Sequence, residues 1–498
     1  MGCGSKNGMP RNRSKLSTFW KSLLDTPHRC RLRVLLVILF AFTLSGCKQE
    51  GVTNVPSGLS DSYNGMAFNL SAKGKYEEAA PLFRKALENN QRMLGEAHPD
   101  TATSYDYVAS NLDDQGKFEE AEPLYRKGLE IRQRVLGEEH PDTATSYNNL
   151  ASNLGDQGKI EEAESLYRKG FKIRQRVLGE EHPDTASSYN NMAYNFRAQG
   201  RYEEAAPLFR KALEIRQRVL GQEHPHTAGS YNNMASILNA QGKYKEAEPL
   251  YRKSLEIHQR VLGAEHPHTA TSYNNVGYNL NAQGRYKEAE PLYRKGLEIR
   301  KLVLGEGHPD TAGSYNGVAS NLKDQGKYQE ADFFYRKSLE IRQRALGEEH
   351  PLTAQSYSNV GMNLESQGKY TEAEPLYRKG LEIRQRMLGN EHPETAKSYN
   401  NIGTNLDGQG KYEDAEPFYR RILEIRQRAL GGEHPDTAIS YNNLGMNLEK
   451  QGKFKEAEPL LRKSYNIISA ALGENHPSTK IIRKNLESNS SKNNSIEK

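Results

Sequence analysis

YNNLASNLGDQGKIEEAESLYRKGFKIRQRVLGEEHP, residues 147–183, is one copy of a pattern that fills most of this chain. Its closing His-Pro pair recurs at His98, His140, His182, His224, His266, His308, His350, His392, His434 and His476, always 42 residues apart and without an insertion. A fixed period of this length marks a solenoid, in which a unit cannot bury its apolar face alone and stacks on the next. Units of such a body are expected to touch only their neighbours. The 498 residues should therefore form one continuous array rather than the roughly three domains that length alone would give.

Within the quoted unit, Tyr147, Leu150, Ala151 and Leu154 fall at i, i+3, i+4 and i+7, one face of a helix. Gln157-Gly158 ends it, because glycine takes the left-handed conformation that helix ends favour. A second helix carries Ala163, Tyr167, Gly170 and Phe171 on one face and runs through Leu178 to Gly179. His182-Pro183 starts the next helix, proline fitting a first turn whose N–H groups lack helical partners. Other units place Ala86, Ala212, Ser254, Ser338 and Ser464 at the Gly170 position, small residues expected where helix backbones approach closely; Ile422 departs from this rule. Unit one has no His-Pro, and Ser60 is its candidate N-cap. After His476-Pro477 only half a unit follows, with Arg483 in place of the tyrosine, and it reads as a polar-faced cap.

The pattern resembles the tetratricopeptide repeat: Tyr147, Leu150, Ala151, Leu154, Gly158, Ala163, Tyr167 and Gly170 occupy that family's places over about residues 59–487. The 42-residue period, with LG-x-x-HP-x-T-A and YNN, is similar to the kinesin light chain subfamily. The resemblance implies an all-α fold: a right-handed superhelical solenoid of ten antiparallel helix pairs plus a C-terminal cap helix. It also implies a non-enzymatic scaffold that binds a protein or peptide segment on the concave face, lined by the first helix of each pair.

Ahead of the array, Arg29, Arg31 and Arg33 precede the apolar run Val34–Phe42, and Leu44-Ser45-Gly46-Cys47 follows. A basic region, a short apolar run and small residues read as a secretory signal. The last four residues resemble the bacterial lipobox, which implies cleavage after Gly46 and diacylation of Cys47. Two acyl chains are enough for stable anchoring. Residues 1–46 are thus expected to be a lipoprotein signal peptide and 47–58 a flexible tether. Residues 59–487 form the array, and 488–498, rich in Ser and Asn, read as a disordered tail. The expected location is the bacterial envelope, lipid-anchored, on the periplasmic face of the outer membrane.

The net charge of +6 is unevenly placed: residues 1–46 hold eight Lys/Arg and one acid, leaving 61 basic and 62 acidic residues beyond them. A balanced array lacks the clustered basic excess of a nucleic-acid interface, so no nucleic-acid partner is expected. Cys3, Cys30 and Cys47 all precede the repeats, which excludes a disulfide framework or thiolate metal site within them. The His-Pro histidines belong to different units and no ligand set stands at metal spacing around them, so these residues read as joints. His226, His258 and His268 read as scattered surface residues. No nucleophile–base pair or phosphate loop stands out, and neither enzymatic activity nor a cofactor is expected.

The Asn pairs after the first-helix tyrosine are the sharper signal for binding. The second of each pair, at Asn149, Asn191, Asn233, Asn275, Asn401 and Asn443, with Asn359 as a partial match, corresponds to a family position that bonds a peptide backbone. An amide both donates and accepts, so a ladder of them can hold an extended chain; the same amides could instead bridge neighbouring helices of the array. One turn further, Ser110, Ser152, Tyr194, Ser236, Tyr278, Ser320, Met362, Thr404 and Met446 differ between units. Tyr194, Tyr278, Met362 and Met446 could form apolar pockets. Asp113, Arg197, Lys323, Glu365, Asp407 and Glu449 would give the groove mixed charge. Two other readings remain open: a self-associating structural spacer that uses the groove for its own neighbour, and a glycan-binding envelope protein with Tyr194 and Tyr278 as platforms.

Overall fold

The structure, a computed structural model, describes residues 58–496; the leader, Cys47 and most of the tether lie outside the described residues. Unit 1 pairs Gly58–Ala72 with Tyr76–Leu94, unit 2 Pro99–Asp114 with Phe118–Leu136, and unit 3 Pro141–Asp156 with Ile160–Leu178. Units 4 to 6 are Pro183–Ala198 with Tyr202–Leu220, Pro225–Ala240 with Tyr244–Leu262, and Pro267–Ala282 with Tyr286–Leu304. Units 7 and 8 are Pro309–Asp324 with Tyr328–Leu346 and Pro351–Ser366 with Tyr370–Leu388. Units 9 and 10 are Pro393–Gly408 with Tyr412–Leu430 and Pro435–Lys450 with Phe454–Leu472, and a final helix, Pro477–Ile496, covers the end. The first helix of each pair is called A and the second B. The fold is an all-α, right-handed superhelical solenoid of ten pairs and a cap.

Every conspicuous motif residue is used in a joint. The histidine of each His-Pro pair caps helix A: Nδ1 of His140 accepts the Asp142 N–H at 3.1 Å, and Pro141 takes the first helical position. The threonine two residues beyond the proline ties the loop back to the preceding helix, Thr143 Oγ1 donating to the Gly137 carbonyl at 2.8 Å. The loop glutamate receives the helix A tyrosine, as Tyr105 does to Glu96 at 2.7 Å. Burial, with Glu96 adding to it, pushes the Tyr105 phenol up to about 12, so the hydroxyl stays a donor. Gly158 has φ +79° and ends helix A in the left-handed region, as sequence reading requires. Between helices, Leu150, Ala151, Leu154 and Ala163 are essentially inaccessible to solvent. Ile422, the large residue at a small-residue position, is also fully buried and joins the main core.

The units do not touch only their neighbours. Nε2 of His308, before unit 7, lies 3.1 Å from the Ala72 carbonyl at the end of helix A of unit 1, 236 residues earlier. His350 reaches Asp114 at 3.2 Å, His392 reaches Asp156 at 2.9 Å and His434 reaches Ala198 at 3.1 Å, each across the same 236 residues. The superhelix therefore completes a turn in about six units and rests on itself.

Two local expectations are corrected. Ser60 is not the N-cap of the first helix: it lies inside it, buried, where it accepts the Asn89 amide at 2.7 Å and donates to Asn90 at 2.6 Å. Residues 488–496 continue the cap helix rather than forming a structureless tail. Asn489 there is fully buried, its amide donating to the Phe454 carbonyl at 3.2 Å, which holds the segment on unit 10.

Candidate functional site

Successive A helices come into direct contact more closely than successive B helices do, so the A side is the inside of the curve. The varying position on this side keeps at least part of its surface in water in every unit from Ser110 to Met446, while Leu150, Ala151 and Leu154 on the neighbouring face are buried. Tyr278 is 59% exposed and Met362 37%, and Ser152 is exposed as well. Tyr194 stands half-buried, edge-on to Phe209, with its hydroxyl donating to Asn233 Oδ1 at 2.5 Å.

The Asn pairs form a ladder inside the array. The second Asn of one unit donates to the first Asn of the unit before: Asn275 to Asn232 at 2.6 Å, Asn443 to Asn400 at 2.7 Å, and Asn359 to Asn316. Asn485 of the cap continues it to Asn442 at 2.9 Å. Asn149, Asn233 and Asn359 are buried, whereas Asn191, Asn275, Asn401 and Asn443 keep part of their surface in water. Each ladder bond uses one amide hydrogen and leaves another with an acceptor lone pair, so the exposed members retain hydrogen-bonding capacity toward the inner face.

The acidic residues expected to charge the inner face are tied down. Asp113 accepts Tyr125 at 2.8 Å and Asn153 at 2.7 Å, and Asp407 accepts Asn447 at 2.7 Å and Lys450 at 3.0 Å. Glu365 accepts the Tyr377 hydroxyl at 2.7 Å, and burial raises its carboxyl above the usual range.

Sequence reading missed a second asparagine, four residues beyond the ladder position. Asn153, Asn321, Asn405 and Asn447 are completely buried and donate to the first carbonyl of the preceding unit's B helix: Phe118, Tyr286, Tyr370 and Tyr412, at 2.8 to 3.0 Å. Its regular recurrence beside the helix A leucine was the available signal. Unit 5 has Ile237 there, also fully buried.

A third polar row lies between units. Arg132, Arg174, Arg216, Arg342, Arg384 and Arg426 on the B helices are nearly inaccessible. Each bonds a serine of the next unit, as Arg384 does Ser398 at 2.6 Å, and Arg426 also reaches the Asp436 carbonyl at 2.8 Å. Arg132 has a carboxylate, Asp106 at 2.7 Å. At the corresponding place unit 5 has His258, and here the surface reading of His226 and His258 is corrected. His226 and His258 are buried. His258 stacks on His268 with centroids 5.7 Å apart, and its Nδ1 lies 2.8 Å from Ser272. Burial pushes His258 down to about 4 and His226, which also faces Arg216, down to about 2. They are far apart in sequence and meet because one interface between units brings equivalent loops to one B helix. Among the described residues, no group of three or more His, Cys, Asp or Glu is arranged to hold a metal ion.

The tetratricopeptide repeat family model matches in overlapping stretches that begin at residue 59 and end at residue 488, covering most of the chain. The chain belongs to the tetratricopeptide repeat family. A second model of this family matches residues 190–260. Among solved tetratricopeptide-like structures, the chain is similar to the nearly identical repeats of a kinesin light chain protein from Podosopora anserina: 27% identity, 41% of this chain and 97% of that one, TM-score 0.35. BtubC (BKLC) from P. vanneervenii is 25% identical over 46% of this chain and 92% of its own, TM-score 0.40. A Rap protein complexed with competence and sporulation factor is 14% identical over 72% of this chain and 99% of its own, TM-score 0.44. Among the described residues, no helix is long and apolar enough to cross a membrane.

Proposed function

We propose that this tetratricopeptide protein, of the 42-residue kinesin-light-chain-like type, is a non-enzymatic scaffold that binds an extended protein segment along its concave face. A lipid on Cys47 anchors it at the bacterial envelope, on the periplasmic face of the outer membrane. The observation that carries the binding reading is the contrast on helix A. Core positions are buried and vary little, whereas the series Ser152, Tyr194, Ser236, Tyr278, Ser320, Met362 alternates serine with a larger side chain and keeps part of its surface in water in every unit. A fixed frame that presents varied, water-facing side chains at regular spacing suits recognition of successive side chains on one partner. The half-exposed amides of Asn191, Asn275, Asn401 and Asn443 lie in the same row and suit its backbone. Partner choice lies in the side chains of the site, so the test is on the site.

The test exchanges Tyr194 and Tyr278 for serine, the residue that Ser152 and Ser236 supply at the same place; Tyr194→Ser also gives up the bond to Asn233, so the Tyr278→Ser single variant is run beside it. Crosslinking and pull-down from membranes should lose the captured partner in the Tyr194→Ser, Tyr278→Ser double variant; an unchanged set of partners sinks the groove reading. For the anchor, Cys47→Ser should move the protein from the membrane to the soluble fraction. A variant that still sediments with membranes removes the lipoprotein reading and leaves the groove reading standing.

A further inference from the structure

The contact that lets the superhelix rest on itself is made by only half of the positions able to make it. On one side, a Cβ at Gly74 or Gly116 would meet Pro309 or Pro351 at 2.4 or 2.6 Å, and one at Gly242 would meet His476 at 2.6 Å. The equivalent turns of units 6 to 10, at Gly284, Gly326, Gly368, Gly410 and Gly452, have nothing within 4 Å in that direction. On the other side, His308, His350, His392 and His434 are buried at 6 to 9% exposure. The side chains of His98 and His140 are 41% and 39% exposed, although both cap their helices through Nδ1 at 3.1 Å exactly as the buried ones do. With Nδ1 engaged on its own helix, each such ring presents its Nε2 edge outward.

The two exposed rims are therefore the two halves of a contact whose fit is demonstrated inside the chain. Because the docked halves lie where successive turns meet, the exposed halves lie at opposite ends of the superhelix. Their charges are also complementary. The histidine rim carries Asp100 and Asp142, 68% and 66% exposed, and the glycine rim carries exposed Lys327, Lys369 and Lys411.

We propose that the chain stacks head to tail on a second copy of itself, the His98–His140 rim of one copy docking on the Gly326–Gly368 rim of the next. The cap helix occupies the place of an eleventh helix A beside Gly242, so the next copy begins beyond it. His98 then faces the turn at Gly326 and His140 that at Gly368, each ring toward the last carbonyl of a helix A. This joining surface is heterologous: the two copies contribute different patches, the operation does not close, and repetition gives an open coaxial fibre. It is separate from the concave face, and a partner bound there would be carried along the stack.

The test is sedimentation velocity of the purified full chain over a range of concentrations. One variant, His98→Asn with His140→Asn, keeps an N-capping side chain and removes the Nε2 donor. A second, Lys369→Glu with Lys411→Glu, reverses charge on the opposite rim. The wild type should grow in mass with concentration, less so at high salt, and each variant alone should stay monomeric. An equimolar mixture of the two variants retains one intact rim of each kind and should stop at dimers. A wild type that stays monomeric, or assembly that both variants leave unchanged, overturns the proposal. Should the histidine variant melt early, the lysine variant decides alone.

Discussion

Nε2 of His434 lies 3.1 Å from the Ala198 carbonyl, while Nδ1 of the same ring accepts the Asp436 N–H at 2.9 Å. One imidazole thus caps a helix and joins two turns of the superhelix. With Nδ1 accepting, the proton must sit on Nε2, and the ring is neutral. Burial holds the group below the ordinary histidine range, which matches that role.

The pressure between turns can be read by comparing two glycines. Gly74 has φ +73° with the Pro309 ring against it, and Gly368 has φ +76° with open space. Alanine at either position suffers the left-handed penalty of about 1–2 kcal/mol. Gly74→Ala must in addition displace Pro309, so it should lower the calorimetric unfolding temperature more than Gly368→Ala. Equal shifts would mean that the turns do not press together.

Acid should weaken the protein at the interface of units 5 and 6. A histidine whose folded value is depressed binds its proton first in the unfolded chain, so stability is complete above about 6.5 and is lost as pH falls. For His258, held near 4, the loss between those values amounts to about 3 kcal/mol. His226, with Arg216, His224, His258 and His268 around it, acts in the same direction. Replacing the trio by the residues of other units, His226→Asp, His258→Arg and His268→Asp, should flatten the decline in melting temperature between pH 7 and pH 5. A decline as steep as the wild type's would place the acid sensitivity elsewhere.

Arg132 and Asp106 are 8% and 9% exposed and 2.7 Å apart. Arg132→Ala leaves a buried carboxylate without its cation and should cost about 3–5 kcal/mol. Asp106→Asn copies the arrangement of other units, where Arg174 and Arg384 are buried among hydroxyls, and should cost no more than about 1 kcal/mol. Urea unfolding of the two variants should rank them in that order.

Asn321 donates to Tyr286 at 2.8 Å and to Asn281 at 2.7 Å with no solvent access. Asn321→Ala removes both bonds and strands a buried carbonyl, a loss of about 1–3 kcal/mol. Hydrogen exchange should quicken on both sides of the interface between units 6 and 7 and hardly change at unit 2. Uniform quickening along the chain would contradict a local staple.

Much of this was legible in the sequence because the repeat states it ten times. Gly158 announces a turn, Pro141 a helix start and Leu150 with Leu154 a buried face, each by a rule that acts within one unit. What was not legible depends on relations between units. The contact of His434 with Ala198 needs the sum of small rotations over a whole turn, which no single residue encodes. The ladder amide of Asn275 has equivalent chemistry toward a ligand or toward Asn232, and only the stagger of adjacent helices selects the latter. His226, His258 and His268 looked unrelated because the alignment that brings them together is spatial. The trace they left was that histidine replaces the commonest Asp, Arg and Asp three times at one interface.

The docking of His308 on Ala72 has a topological consequence. Where one coil of a spring lies on the next, nothing can slip in sideways between them. Whatever occupies the bore of this molecule must be threaded through an open end or wait for the coils to part. A flexible terminus could enter; a hairpin flanked by folded domains could not.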